Sequence, residues 1–327
     1  MKAKSNQLLF FNAFFIFLLC LSFNIFADNF PEKTVKIIVP YPPGGFTDIL
    51  ARVIAEKLSL KINQSVIVDN KGGGGSVIGS NIAAKSAPDG YTLLLVAPDL
   101  AINESLIPDK LTYGAVKDFQ PVIECALSPL AMVINSKLGV QSYSEFADFV
   151  KKHPNEIYFA SGGNGTGAHL ALELFTINSR LNLVHVPYKG NGPALTDLLG
   201  GQVSGMFLPY ALAKPYIESN KLVILGTPSG KRSTAIPQIP TLVEQGVTGL
   251  DVQPWFGIVV PKGTAQSRVK FLNKNISDIM TSNEVKLKLK DLGAEAVTSS
   301  PEDFDSFIRE EIKRWAKVIV ELNIKAD

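Results

Sequence analysis

Val35-Lys-Ile-Ile-Val-Pro-Tyr-Pro-Pro-Gly44-Gly45-Phe-Thr-Asp48-Ile-Leu-Ala-Arg-Val-Ile-Ala-Glu-Lys-Leu58 decides the fold. It reads as a buried strand (Val35–Val39), a tight Pro/Gly turn, and an amphipathic helix with Ile49, Leu50, Val53, Ile54 and Leu58 on one side. Gly44 and Gly45 put no side chain between solvent and the first amides of that helix. Those amides have no partner inside the helix, and the helix dipole adds partial positive charge there. Such a start is a ready anion site. The plainer reading is an ordinary strand-to-helix turn with Thr47 or Asp48 as N-cap.

The pattern recurs outward from this unit. Val66–Asp69 reads as a strand, followed by Asn70-Lys-Gly-Gly-Gly-Gly75-Ser76 and a helix through Val77, Ile78, Ile82 and Ala83, with Ser76 a candidate N-cap. On composition alone four successive glycines favour a flexible surface loop. Tyr91–Val96 is a buried strand that ends at Ala97-Pro98-Asp99-Leu100. Ligands of open parallel sheets sit beyond the carboxyl ends of the strands. There Asp99 either favours a ligand with a cationic part or caps the next helix. Ile157–Ala160 is a strand running into Ser161-Gly-Gly-Asn164-Gly165-Thr166-Gly167 and a helix from Ala168 to Phe175. No Gly-Lys-Ser/Thr ends this loop and no acidic partner follows it, so it is neither a P-loop nor a dinucleotide loop. His169 is either a packed or capping side chain or a ligand contact.

Strands alternating with helices predict parallel α/β sheets. Val122–Asn135 and Leu250–Pro261 are extended, and each is interrupted by a proline (Pro129, Pro254). Two such crossings suit a two-lobed hinge protein: 28–125 with 255–327 as one lobe, 126–254 as the other. Within the second lobe, Ser142 and Glu145 form a capping box, and Pro193 suits the first position of a helix over 194–199. Val203–Phe207 is a short strand opening onto Leu208-Pro209-Tyr210. Tyr188 and Tyr210 either line the cleft or simply pack. Trp255, at the second crossing, joins the candidate ligand contacts. The tail from Ser267 to Ile324 reads as helical, with Phe304, Ile308, Ile312, Trp315 and Ile319 set to lie against the first lobe.

Residues 1–27 stand outside this fold. Lys2 and Lys4 precede an apolar run from Leu8 to Phe26, and Ala27 is a small residue at a cleavage position, the form of a secretory signal peptide. An uncleaved membrane anchor is the competing reading. Leu19 before Cys20 is too large for the usual lipidation site. The segment holds two lysines and no acid, so the remainder carries 30 basic and 30 acidic residues. With no basic excess or Lys/Arg run, nucleic acid is excluded as a partner. Only Cys125 remains after cleavage, so no internal disulfide forms. No Gly-x-Ser-x-Gly, no His-Glu-x-x-His and three scattered histidines give no enzyme signature. No cofactor or metal is expected.

Pro40-Tyr-Pro-Pro-Gly-Gly-Phe-Thr-Asp48 with Ala51-Arg52 closely resembles the opening of the tripartite tricarboxylate transporter substrate receptors, the extracytoplasmic Bug family. The resemblance extends to Ala87-Pro-Asp-Gly-Tyr-Thr-Leu-Leu94, Ser161–Gly167 with His169-Leu170, His185–Val203, Arg232 with Ile239–Gly246, Trp255-Phe-Gly257 and Pro261-Lys-Gly-Thr264. It implies a type II periplasmic-binding-protein fold whose two α/β lobes, each a mainly parallel sheet flanked by helices, close on a small carboxylate (an organic acid or an amino acid). It also implies a carboxylate held at Tyr41–Phe46 with donors from Ser161–Gly167, and delivery by a monomeric periplasmic receptor to a membrane permease. A sensor kinase is the alternative partner, and nothing within the chain separates the two roles. Gly75, Ser76 and Leu100 complete the expected contacts. Where family members often carry small hydroxyl residues this chain has Pro98-Asp99, and where they often carry an acid after Met-Phe it has Leu208.

Overall fold

The computed structural model describes residues 29–325; the expected signal segment lies outside them. The first sheet begins with β1 (Val35–Val39), β2 (Val66–Asn70) and β3 (Thr92–Val96), with α1 (Phe46–Ile62), α2 (Val77–Ala84) and α3 (Asp99–Leu106) between and after them. β1 pairs in parallel with β2 (Val35 opposite Val66) and with β3 (Lys36 opposite Thr92). Four of the five β1 residues are buried, as expected for a parallel strand covered by helices on both faces.

β4 (Phe119–Leu127) then leads through Ser128-Pro129 into β5 (Leu130–Asn135), which belongs to a second sheet. That sheet is completed by β6 (Tyr158–Ser161), β7 (Val184–Pro187), β8 (Gly205–Pro209) and β9 (Leu222–Gly226), in the order β7-β6-β8-β5-β9. Its helices are α4 (Tyr143–Lys152), α5 (Gly167–Ser179), α6 (Asn191–Gly200) and α7 (Tyr210–Glu218). The chain returns through β10 (Trp255–Pro261), α8 (Gln266–Thr281), α9 (Asn283–Asp291), the short β11 (Glu295–Ala296) and α10 (Pro301–Glu321), closing the first sheet as β11-β4-β10-β3-β1-β2.

The fold is therefore two-lobed, with one α/β sheet per lobe. Both sheets are more mixed than "mainly parallel". The strands next to βα units are parallel (β2-β1-β3 and β7-β6-β8), whereas β4, β5 and β10, which carry the chain between lobes, pair antiparallel. A strand that enters a sheet from the neighbouring lobe has no crossover helix to turn it parallel.

Several starts differ from the sequence reading. α1 is capped by Gly45, not by Thr47 or Asp48, and α6 begins at Asn191, which puts Pro193 at its third residue. Glycine there leaves the first turn reachable, so the helix starts earlier than its proline implies. Ser142 accepts from the Glu145 amide at 3.2 Å while Glu145 reaches back to the amide of Gln141. The tail is three helices, broken at Leu292–Ser300 by β11. α10 packs on α3 and β4 through Phe304, Ile308, Trp315 and Ile319, all buried.

Trp255 belongs to this packing rather than to the cleft wall. It is 1 % exposed, lies edge-on to Phe304 and Phe307, and its Nε1 donates to Glu311 Oε2 at 3.1 Å. Glu311 also accepts from Trp315 Nε1 and Arg314 Nη1 at 3.0 Å each. Glu124 of β4 is pushed up to about 7, by burial first and then by the Glu311 charge. A carboxyl raised in the folded state stabilises fully below its unfolded value near 4.5 and loses that contribution as pH rises through about 7. Discounted for partial exposure, the loss is about 2 kcal/mol. Chemical denaturation from pH 4.5 to 8 should show Glu124→Gln gaining on the parent by about that amount toward high pH; a constant difference would contradict the assignment.

Candidate functional site

Four turns meet between the sheets: the loop after β1, the β3–α3 turn, the loop from β6 into α5, and the start of α6. They line a cleft of about 650 Å³, counted to its open mouth, with Leu130, Pro254 and Phe256 of the crossings at its back. Its wall includes Tyr41, Gly45, Phe46, Thr47, Pro98, Asp99, Thr166, Gly167, Ala168, Asn191 and Gly192. α1, α5 and α6 thus point their N-termini into one space. Asp99 is the only ionisable carboxyl in that wall, and no lysine or arginine lines it among the described residues.

Local chemistry explains why these turns hold their shape. Asp48 of α1 accepts from the Gly44 amide (3.1 Å), from Arg52 Nε (3.1 Å) and from Asn70 Nδ2 (3.0 Å), and Asn70 Nδ2 also donates to the Tyr41 carbonyl at 3.1 Å. Burial alone would raise the Asp48 pKa, yet the bonds from Arg52, Gly44 and Asn70 outweigh it and hold the carboxyl below its usual range. The loop is braced from beneath, so the amides of Gly45, Phe46 and Thr47 remain for the cleft. On the second lobe Thr166 Oγ1 accepts the His169 amide at 3.3 Å and donates to the Gly163 carbonyl at 2.8 Å, fixing the start of α5. Gly167 and Ala168, the first residues of α5, line the cavity.

Asp99 is 3 % exposed and accepts from the Tyr41 hydroxyl. Burial raises its pKa to about 6, with hydrogen bonding from the Ser76 side and from Tyr41 offsetting part of the rise. Tyr41 is pushed above its usual value, by its own burial first and then by the Asp99 charge. Asp99 is the first residue of α3, after a Pro98 cap, so its carboxyl serves the Tyr41 pair and does not cap the helix.

The lobes touch across this site. A Cβ on Gly75 would lie 2.2 Å from the Asn164 carbonyl oxygen, one on Gly165 would lie 2.1 Å from Asn103 Oδ1, and one on Gly190 would lie 2.9 Å from the Pro42 ring. Each pair joins one lobe to the other, and Asn103 Nδ2 donates to the Gly75 carbonyl at 2.9 Å. Residues 33 onward pack as one compact unit. This is a closed arrangement.

Of the residues singled out from sequence, Tyr41, Gly45, Phe46, Asp99, Thr166 and Gly167 line the cleft. Tyr41 also borders an outer chamber with Gly75, Ser76, Asn164 and Tyr188. Gly44 braces the loop through Asp48, Leu100 is core, and Gly165 is pressed on Asn103. Tyr210 packs with Ile236 and Gly293. Ser161 is fully buried, its Oγ 2.6 Å from His185 Nε2. His169 is 1 % exposed, and its Nδ1 accepts the Gly165 amide at 3.3 Å; burial and then the neighbouring His185 push it down to about 3, so the ring is neutral. Sequence reasoning missed Thr47, Asn191, Gly192 and Phe256. The Gly190-Asn-Gly-Pro193 turn repeats the glycine-before-helix pattern and is the signal that finds two of them.

His169, Glu173 and His185 bring ligand atoms within 4.8 Å of one another. The two rings, however, stack at 4.6 Å with planes only 22° apart. A metal ion lies close to the plane of each imidazole it binds, at about 2.1 Å from nitrogen. Two near-parallel planes this far apart share no such point, so the trio is packing rather than a metal cradle.

The tripartite tricarboxylate transporter family receptor model matches residues 50–324. Protein BugT of Bordetella pertussis is 39 % identical over 301 residues, 91 % of this chain and 92 % of BugT. The structure of periplasmic binding protein BugD superposes with a TM-score of 0.86 at 31 % identity, over 90 % of this chain and 99 % of BugD. R. palustris Rpa4515 with adipate superposes at 0.87 and 32 % identity, over 90 % and 99 % of the respective chains. The family model spans most of both lobes, and the chain belongs to the tripartite tricarboxylate transporter receptor family of solute-binding proteins.

Proposed function

We propose that the inner cleft binds a small carboxylate and that the chain works as a periplasmic receptor, handing this ligand to a membrane permease of the tripartite tricarboxylate type. One observation carries the reading. The first residues of α1, α5 and α6, drawn from both lobes, line one cleft whose wall holds no basic side chain among the described residues. Amides at helix starts hold an anion by dipole and hydrogen bond without Lys or Arg. The adipate in Rpa4515 is consistent with the same chemistry.

A binding role accounts for the site better than catalysis does. The spacing of Ser161 and His185 suits a nucleophile and base, but Ser161 is fully buried and is not part of the cleft wall. Among the described residues no helix is long and apolar enough to cross a membrane. Isothermal titration with acetate, succinate, adipate, glutamate and a neutral amide control tests the proposal. At least one carboxylate should bind at micromolar Kd or tighter while the amide shows no heat. A panel in which the neutral control binds equally well refutes anion capture.

A further inference from the structure

Beyond Tyr41 lies the outer chamber, about 760 Å³ counted to its open mouth, which adjoins the inner cleft at Tyr41 and Gly162. Its walls are Gly73–Ser76, Ile107 and Lys110 from one lobe, and Gly162–Asn164 with Pro187–Lys189 from the other. The charged side chains lining it are Lys110 and Lys189; no carboxylate lines it. Both lysines are exposed, and neither makes an ion pair among the described residues. They stand on opposite lobes, so this cationic pair is assembled only when the lobes are closed.

The floor of the chamber is the four-glycine loop. Gly73, Gly74, Gly75 and Ser76 all have positive φ (129°, 60°, 60° and 75°), and Ser76 is left-handed helical. Successive amides in such a turn point to one side instead of alternating, the geometry of an anion-binding nest. Lys71 spends its amide on the Val39 carbonyl, and hydrogen bonding within the loop resumes at Val77; the amides between meet no acceptor among the described residues. Ser76 is 1 % exposed and borders the chamber; its Oγ closes no hydrogen bond of full geometry, although it lies near enough to Asp99 to help offset the rise in that carboxyl's pKa, so the hydroxyl keeps capacity for a further partner.

We infer that the outer chamber is a second anion site, distinct from the inner cleft, which takes a small oxyanion of the phosphate or sulfate type between the Gly73–Ser76 turn and the Lys110/Lys189 pair. The two lysines supply charge, and the turn supplies directed donors, which a tetrahedral oxyanion can use from several sides at once. Because the site exists only between closed lobes, its occupant favours closure, and by reciprocity it tightens whatever the inner cleft binds.

The probe is inorganic phosphate, titrated into the exported form of the protein at constant ionic strength set with chloride, so that general screening is held fixed. One site is expected in the parent, weakened at least tenfold in Lys110→Ala/Lys189→Ala. Both side chains are exposed, and the double variant should keep the parent melting temperature. Absence of phosphate binding in the parent overturns the inference. Equal phosphate affinity in the double variant also overturns it, since the ion then sits elsewhere, the inner cleft included. Carboxylate binding to the inner cleft is measured separately and survives either negative result.

Discussion

Gly75→Ala should weaken carboxylate binding by 10- to 100-fold while leaving most of the folding stability in place. The backbone at Gly75 is left-handed (φ 60°), and an added Cβ would lie 2.2 Å from the Asn164 carbonyl of the opposite lobe. Left-handed backbone costs a non-glycine residue about 1–2 kcal/mol in any state of the hinge. The clash is different, because only the closed state contains it. Asn164 O is backbone, so no rotamer change relieves the overlap, and overpacking of this kind costs about 1–3 kcal/mol. Each 1.4 kcal/mol is about tenfold in the equilibrium, and a penalty confined to the closed state is subtracted from ligand affinity. Gly200→Ala is the control, since nothing lies within 4 Å of a Cβ there and its φ is ordinary. Titration calorimetry reports affinity, and small-angle scattering with saturating ligand reports closure. Gly75→Ala binding as tightly as Gly200→Ala would show that the Gly75–Asn164 contact is not part of the ligand-bound state.

The same pair of loops shows what a single sequence can and cannot disclose. Glycine turns feeding helix starts were visible at Gly44-Gly45, Gly72–Gly75 and Ser161–Gly167 because glycine run, strand and apolar helix face are all local signals. Which side of a strand faces the ligand is not local. Trp255 and Phe256 are adjacent and equally apolar, yet period-2 alternation sends Trp255 to Glu311 and Phe256 to the cleft. Asn191 and Gly192 are hidden because Pro193 points to a later helix start, whereas proline tolerates any position of the first turn, where the amide it lacks has no partner anyway. The mixed sheets were hidden for another reason: strand direction at β4, β5 and β10 follows from which lobe the chain came from, a property of topology rather than of those residues. Even so, Tyr41, Gly45, Phe46, Asp99, Thr166 and Gly167 are legible in the sequence and stand in one wall. The site lies where open α/β sheets put their loops.

Asp99 should make ligand choice depend on pH. It is the lone ionisable carboxyl in a cleft otherwise furnished with amide donors, with a pKa raised by burial to about 6. A simple carboxylate such as succinate meets it as a like charge above that value and as a neutral donor below it. If only the neutral form admits succinate, the competent fraction rises about 30-fold between pH 7.5 and pH 5, an upper bound. An amino acid such as glutamate offers an ammonium to the ionised form, and its affinity should fall across the same interval. Asp99→Asn keeps an acceptor for the Tyr41 hydroxyl and removes the charge. It should bind succinate at pH 7.5 about as tightly as the parent does at pH 5, lose its pH dependence, and bind glutamate at least tenfold more weakly than the parent at pH 7.5. The variant should also be more stable at pH 7.5. A carboxyl whose folded pKa is raised stabilises below its unfolded value near 3.8 and loses that stabilisation as pH rises through about 6, and asparagine has nothing to lose. Calorimetric titrations of both ligands at pH 5, 6 and 7.5 separate the outcomes. Parallel pH profiles for succinate and glutamate in the parent, or a pH dependence in Asp99→Asn beyond that of succinate's own second ionisation, would assign the discrimination to some other group in the cleft.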